Sequence, residues 1–240
     1  MTTYERRGGD SLAPTTTTGH QDSGQVAFLS DGRFVIVWRD SSATGSDLSG
    51  SAIRGRIFNA DGARSGGEFL VNTSTTGHQA SPTLFALPSG GFVVAWTDAR
   101  LDATDADIRA QMFDSAGAPS GAEILVNSHL AGVQGAPAGA ALADGSFVLA
   151  WTDSTAEPSV AGTGGSPIGV RSQLFDSGGA KVGVETAVNT STRYEQSNPA
   201  PASRPGSTVR LCSRARTSPS TAAPKRTPTS SSTAARASTP

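Results

Sequence analysis

The chain has 240 residues, a mass of 24.3 kDa, 28 Gly, 14 Pro, a single Cys and a formal net charge of −1. Only 36% of the residues are apolar, so the core must be thin, and no apolar run is long enough for a membrane-spanning helix. One thiol excludes both an internal disulfide and a cysteine-rich zinc site.

A repeating frame runs along most of the chain. Three glutamines are each followed, 17 residues later, by a tryptophan; the tryptophans are Trp38, Trp96 and Trp151. Three phenylalanines are each followed by a glutamate after ten residues and an asparagine after four more; the phenylalanines are Phe58, Phe113 and Phe175. Only the interval from Trp to Phe varies, which indicates one constant structural unit with one variable loop. We predict that these six aromatic residues are packing anchors between neighbouring sheets.

Each unit contains four strand signals. In the first, residues 26–30 and 33–40 flank Asp31-Gly32, which predicts a hairpin with a two-residue turn. The second strand is apolar on both faces, as expected of a strand buried on both sides. A third strand over residues 53–58 and a fourth over residues 68–72 flank an Asx- and Gly-containing turn.

Four antiparallel strands in roughly 55–60 residues, without helical periodicity, predict an all-β fold of tandem four-stranded repeats. We interpret the repeats as incomplete β-propeller-like blades, in preference to β-solenoid units, because the turns have hairpin length. The predicted repeats are residues 15–72, 73–127 and 128–189, within a repeat region of 15–198 that includes the start of a fourth. Residues 1–14 are predicted to be disordered. Closed propellers have about 4–8 blades, so further repeats or self-association are expected to complete the fold.

The C-terminal segment differs from the repeats. All 20 acidic residues lie within residues 1–198, whereas residues 199–240 hold seven basic residues and are rich in Ser, Thr, Pro and Ala, which predicts a disordered tail. The frame requires a tryptophan at position 213, where the chain has Ser213. A change of reading frame inside the fourth repeat is our preferred explanation, and a natural tail is the alternative. The tail lacks aromatic residues for base stacking, so no nucleic-acid partner is predicted.

The segment FLVNTSTTGHQASPTLFALPSGGFVVAW, residues 69–96, resembles repeats of large secreted bacterial proteins of the haemolysin-type (RTX) calcium-binding class. The resemblance implies a surface or adhesive protein exported without an N-terminal signal, located outside the cell or on its surface, or in the cytoplasm if the secretion signal is lost. The glycine-rich calcium motif of that class, Gly-Gly-x-Gly-x-Asp, is absent from these 240 residues. No residue is therefore assigned to calcium through it.

One acidic cluster has spacing that suits a metal. It lies in the variable loop of the second repeat and consists of Asp98, Asp102, Asp105 and Asp107. Calcium takes six to eight oxygen ligands, of which such a loop could supply several. Calcium is therefore the only cofactor predicted. An acidic loop exposed to solvent is the alternative, because the other repeats have only two acids each in this loop, which are Asp40 and Asp47 in the first repeat and Asp153 and Glu157 in the third.

The sequence predicts no enzyme. A sialidase-type propeller needs a tyrosine nucleophile, and both tyrosines, Tyr4 and Tyr194, lie outside the complete repeats. The predicted function is a non-catalytic repeat module of a secreted, calcium-associated surface or adhesive protein. The alternative is a propeller module that binds a glycan or protein ligand through the variable loops after the three tryptophans.

Overall fold

A computed structural model describes residues 11–100, 105–155, 168–189, 196–202 and 210–215. The described residues are all-β, with 14 strands that form three four-stranded antiparallel sheets and one two-stranded sheet. Sheet order follows chain order in each four-stranded sheet, as the repeat predicts. The predicted fold of incomplete propeller-like blades is confirmed. None of the described residues forms a helix with the length and hydropathy needed to cross a membrane.

Each of the first three sheets is one blade. Blade 1 contains β1 (Gln21–Phe28), β2 (Phe34–Asp40), β3 (Ala52–Phe58) and β4 (Arg64–Leu70). Blade 2 contains β5 (His78–Ala86), β6 (Phe92–Ala99), β7 (Ala106–Phe113) and β8 (Ile124–Leu125). Blade 3 contains β9 (Gln134–Ala141), β10 (Phe147–Asp153), β11 (Gly169–Phe175) and β12 (Lys181–Ala187). The fourth sheet contains β13 (Gln196–Ala202) and β14 (Arg210–Ala215).

The first hairpin has a longer turn than the sequence predicts. The backbone N–H of Leu29 donates to the carbonyl of Arg33 at 2.8 Å, which leaves three residues, 30–32, in the turn. Gly32 has a φ of 86° there, whereas Asp31 has no positive φ and instead accepts the N–H of Arg33 on its side chain at 3.0 Å. A three-residue turn needs only one left-handed residue, so the glycine alone meets the requirement.

The first strands of the blades lie side by side. Strand β1 contacts β5, β5 contacts β9, and β9 contacts β13, so these four strands form the inner edge of the array. The fourth strands, β4 and β12, are largely exposed. The inner strands begin, and the second strands end, at the same end of the blades. We call this end the loop end. The variable loops and the connections between blades meet there.

Each blade has two different faces. The tryptophan face of blade 2, which includes Phe92, Val94 and Trp96, packs against aliphatic residues of blade 1 such as Val35 and Val37. The tryptophan face of blade 3 packs in the same way on the opposite face of blade 2. Burying one such aromatic side chain contributes roughly 2–3 kcal/mol. Of the predicted anchors, Trp96, Trp151, Phe113 and Phe175 lie in these two cores, and Trp38 and Phe58 are buried in blade 1.

Parts of both predicted disordered ends are ordered. Strands β13 and β14 pair with each other from Gln196 opposite Ala215 to Ala202 opposite Arg210, so they include the predicted start of the fourth repeat and part of the predicted tail. Near the N-terminus, the carbonyls of Leu12 and Ala13 accept hydrogen bonds from Arg64 at 2.8 Å and Arg56 at 2.6 Å. The rest of the predicted tail, residues 216–240, lies outside the described residues.

Candidate functional site

A polar network recurs at the loop end of every blade. In blade 2 the side-chain amide of Gln79 donates to Asp98 Oδ1 at 2.8 Å, and Arg109 Nε lies 2.7 Å from Asp98 Oδ2. Strand pairing sets this geometry, because Gln79 is opposite Asp98 and Arg109 is opposite Trp96. The equivalent groups are Gln21, Asp40 and Arg54 in blade 1, and Gln134, Asp153 and Arg171 in blade 3. The presence of this network in all three blades indicates a structural role.

The recurring glutamate links each network to the preceding segment. Glu123 lies 3.0 Å from Arg109 Nη1 and accepts the backbone N–H and the hydroxyl of Thr73, both at 2.7 Å. Thr73 follows the last strand of blade 1, so Glu123 fastens blade 1 to blade 2. Glu185 makes the same contact with the backbone N–H of Ser128 at 2.6 Å. Glu68 accepts hydrogen bonds from the backbone N–H and the hydroxyl of Thr15.

Blade 2 departs from the pattern next to its aspartate. In blades 1 and 3, Ser42 and Thr155 donate both a backbone N–H and a hydroxyl to the network aspartate, at distances of 2.8 to 3.0 Å. Blade 2 has Arg100 at this position, and its backbone N–H donates to the carbonyl of Asp105 instead. Within the described part of the chain, Asp98 therefore keeps only the donors Gln79 and Arg109.

This difference changes the acidity of the aspartates. Burial raises the pKa of Asp98 above its ordinary value, against the hydrogen bond from Gln79 and the charge of Arg109. Burial also acts on Asp40, but the hydrogen bonds from Gln21 and Ser42 and the charge of Arg54 outweigh it and lower the pKa. Asp98 thus holds a proton more readily than its counterpart in blade 1.

We expect Asp98 to titrate above 3.8 and Asp40 below it when side-chain carboxyl groups are followed by ¹³C NMR, with Asp98→Asn used to assign the signal. The same shifts have opposite effects on stability. Asp40 contributes stability that is lost as the pH falls below 3.8, whereas ionising Asp98 removes stability as the pH rises above 3.8. A lower titration point for Asp98 than for Asp40 would contradict this assignment.

A pocket of about 540 Å³ opens beside Asp98. The polar side chains around it are Ser74, Thr76, Asp98, Arg100, Asp105, Asp107 and Arg109. Asp105 Oδ1 is buried and has no hydrogen-bond partner among the described residues. A buried carboxylate oxygen without a donor is costly, so this atom is suited to accept a hydrogen bond from a ligand.

Three of the four predicted metal ligands border this pocket. They are Asp98, Asp105 and Asp107, and the fourth, Asp102, lies outside the described residues. Asp107 Oδ1 already accepts a hydrogen bond from Asn127 at 2.7 Å, and Asp98 is paired with Arg109. No group of three or more metal-binding side chains occurs among the described residues. Calcium binding stays a prediction.

A second pocket, of about 350 Å³, lies between the inner strands. Ser23, Ser81 and Ala136 border it, each at a bulge and each with a positive φ of 50° to 56°. The described residues that line this pocket have hydroxyl, amide and proline side chains, and none of them is a carboxylate. The pocket in blade 2 therefore offers stronger hydrogen-bonding and acid–base groups than this pocket between the inner strands.

The sequence contains a signal for this network. An aspartate stands two residues after each repeated tryptophan, in Trp38-Arg39-Asp40, Trp96-Thr97-Asp98 and Trp151-Thr152-Asp153. An acid that recurs beside a recurring Gln and Arg predicts an ion pair. Arg100 also stands two residues after Asp98, where blades 1 and 3 have Ser42 and Thr155, but the hydrogen bonds of that serine and threonine to the aspartates are seen only in the structure.

Comparisons with solved structures show the fold. The chain is similar to an endo-arabinase from Bacteroides thetaiotaomicron, with a TM-score of 0.52 and 16% identity over 88% of this chain and 80% of that one. For an α-L-arabinofuranosidase from Lactobacillus brevis the TM-score is 0.51, with 12% identity over 80% of this chain and 64% of that one. For a protein of unknown function from Dyadobacter fermentans the TM-score is 0.59, with 14% identity over 82% of this chain and 62% of that one. The chain thus spans less than two thirds of the length of the last two. No protein-family model matches the sequence, and no curated protein is similar to it.

These comparisons correct three predictions. The assignment to RTX repeat proteins is wrong, because the similar solved structures are propellers that include an endo-arabinase and an arabinofuranosidase. The predictions of a non-catalytic, calcium-associated surface or adhesive module and of a chain without enzyme activity are overturned by the same finding. The residues that carried the resemblance are mostly buried anchors and turn residues. Such residues report how blades pack and say little about what a fold does.

Proposed function

We propose that this chain belongs to a glycan-processing propeller and that the pocket of blade 2 binds an oligosaccharide. The observation that supports it most directly is the partly buried carboxylates of that pocket, Asp98 and Asp105, of which Asp105 Oδ1 has no hydrogen-bond partner among the described residues. Among the described blades, blade 2 alone lacks the serine or threonine cap on its aspartate, and the pocket of about 540 Å³ opens at the place of that cap.

The chemistry of the pocket suits sugar hydroxyl groups. Carboxylates accept hydrogen bonds from hydroxyl hydrogens, and guanidinium groups donate to hydroxyl oxygens, so Asp105 and Arg100 together can hold neighbouring hydroxyls of one ring. A volume of about 540 Å³ is within the range of small-ligand sites and accommodates one or two sugar rings. Because the similar propellers are named an endo-arabinase and an arabinofuranosidase, we propose an arabinose-containing glycan as the ligand.

The same pocket offers two carboxyl groups that could act in hydrolysis, Asp98 and Asp105. Glycosidases use one carboxyl group that stays protonated as general acid and a second that is ionised as nucleophile or base. Asp98, whose pKa is raised by burial, would donate its proton to the glycosidic oxygen as the bond to the sugar carbon breaks. Asp105 would accept the proton of the attacking water.

Secretion of the protein also stays a proposal, consistent with a glycan substrate outside the cell.

The proposal is tested with Asp105→Asn, which removes the charge and keeps the shape. We expect the unmodified chain to bind arabino-oligosaccharides in titration calorimetry and to release reducing sugar from arabinan. Asp105→Asn should weaken binding at least tenfold and abolish release. The matched control is Asp61→Asn in the hairpin turn of blade 1, where the side-chain oxygen caps the N–H of Ala63 and an amide oxygen can do the same.

The outcomes separate the parts of the proposal. If the unmodified chain gives neither heat nor sugar release, the glycan site is refuted. Binding without release refutes the roles of Asp98 and Asp105 in hydrolysis and leaves the binding site. An equal loss in Asp105→Asn and Asp61→Asn places the effect outside the pocket. Calcium titrated into the same two variants tests the acidic-cluster prediction, since heat that depends on Asp105 would support it.

A further inference from the structure

The network glutamine of blade 2 has a buried oxygen without a donor. Both amide hydrogens of Gln79 are used, because Nε2 donates to Asp98 Oδ1 at 2.8 Å and to the carbonyl of Thr76 at 3.2 Å. These acceptors fix the orientation of the amide, since the reversed amide would set oxygen against oxygen. Gln79 is 0% exposed, and its Oε1 has no hydrogen-bond partner among the described residues.

The glutamine of blade 3 is in the same state. Nε2 of Gln134 donates to the carbonyl of Ala131 at 2.9 Å and to Asp153 Oδ1 at 3.3 Å. Gln134 is also 0% exposed, and its Oε1 has no partner in the described part of the chain. In blade 1, Gln21 makes the same two donations but is only partly buried, so solvent can reach its side chain. The enclosed oxygen is therefore a property of the two blades that pack against a preceding blade.

The tryptophan near each of these glutamines has the complementary problem. Trp96 and Trp151 are 0% exposed, and neither indole Nε1 has an acceptor among the described residues. Trp96 stands two residues before the aspartate that pairs with Gln79, so both side chains lie on one face as diagonal neighbours. The register places Trp151 and Gln134 in the same relation. Diagonal neighbours are about 7–8 Å apart, within reach of side chains of this length.

The guanidinium groups on this face do not supply the missing donor. Nε of Arg109 lies 2.7 Å from Asp98, and Nε of Arg171 lies 2.7 Å from Asp153. One unpaired N–H and one unpaired oxygen thus remain on the tryptophan face of each blade, and they do not bond to each other. Buried polar atoms in this situation are commonly bridged by an internal water molecule.

We propose that one internal water molecule lies between Trp96 and Gln79, and a second between Trp151 and Gln134. Each water accepts a hydrogen bond from indole Nε1 and donates one to the amide oxygen. Two hydrogen bonds of about 2.8 Å span up to about 5.5 Å, which suits side chains on diagonal positions. Because these tryptophans lie in the cores between blades, the waters belong to the blade interfaces. The first water would also hold the amide of Gln79 in the orientation that donates to Asp98.

The proposal is tested on the full chain by NMR cross-relaxation between water and the indole N–H groups. We expect a long-lived water, recognised by NOE and ROE of opposite sign, at Trp96 and at Trp151. Gln79→Met keeps the length of the side chain and removes the acceptor, so it should abolish the signal at Trp96 alone. Gln134→Met should abolish the signal at Trp151 alone, and each variant is the control for the other. Trp38 Nε1 is also unpaired, but its glutamine is only partly buried, so no long-lived water is expected there.

The absence of a long-lived water at both indoles of the unmodified chain would refute the proposal. Signals that persist at both indoles in both variants would refute the glutamine oxygens as partners. If a variant does not fold, a crystal structure of the unmodified chain decides the matter. A water within about 3.2 Å of both Nε1 and Oε1 would support the proposal, and a direct bond between these atoms would overturn it. No measurement uses a sugar, so failure here leaves the glycan proposal unaffected.

Discussion

Replacing Trp96 with alanine is expected to lower the free energy of unfolding by about 3–5 kcal/mol, the range for truncating a large core aromatic. Trp96 is 0% exposed and lies in the core between blades 1 and 2, with Phe92 and Phe113. Its truncation leaves a cavity between two sheets, and neither sheet can close it without breaking its own strand pairing. Urea denaturation followed by circular dichroism measures the loss.

Trp38 supplies the matched control. It occupies the same strand position in blade 1 and is 3% exposed, but it belongs to neither of the two cores between blades. Trp38→Ala should therefore cost less than Trp96→Ala. Equal losses would show that packing within a blade, and not packing between blades, sets the contribution of these tryptophans.

The second large effect is expected from Glu123→Ala, at about 2–3 kcal/mol. Glu123 accepts three hydrogen bonds, two from Thr73 and one from Arg109, and its side chain is only 6% exposed. Its removal deprives Thr73 of an acceptor and removes one of the two carboxylates that face Arg109. Blade 1 would also lose a link to blade 2. Thermal unfolding of the variant measures the loss.

Glu123→Gln separates charge from shape at the same position. Glutamine keeps one acceptor oxygen and the length of the side chain, so it should cost less than alanine while still weakening the pairing with Arg109. If Glu123→Ala unfolds at the same temperature as the unmodified chain, the link between the blades contributes no stability. If Glu123→Ala and Glu123→Gln lose the same amount of stability, the charge accounts for the whole contribution of Glu123 to stability.

The repeat could be predicted because its signals are local. A fixed step from Gln to Trp reflects the length of one hairpin, and the alternation of apolar residues in the second strand reflects burial on two faces. The turn length was wrong because Asp31-Gly32 can serve either a two-residue or a three-residue turn, and pairing of Leu29 with Arg33 decides between them. The sequence predicted the start of a fourth repeat at Gln196 and a disordered tail from residue 199, because most residues of β13 and β14 are polar or small and the packing of β13 involves the neighbouring blade.

By itself, the sequence determined the all-β repeat, its period, its anchor residues and the acidic cluster of the second repeat. Only the tertiary structure decided which aspartate is available to a ligand, since Asp40, Asp98 and Asp153 share one frame. The loops bring a Ser or Thr donor to Asp40 and Asp153, and no such donor to Asp98 among the described residues. Only the tertiary structure showed that Phe28 in β1 is 72% exposed. Period and burial pattern are properties of neighbouring residues, whereas the hydrogen bonding of a buried carboxylate and the exposure of a sheet face depend on segments distant in the chain.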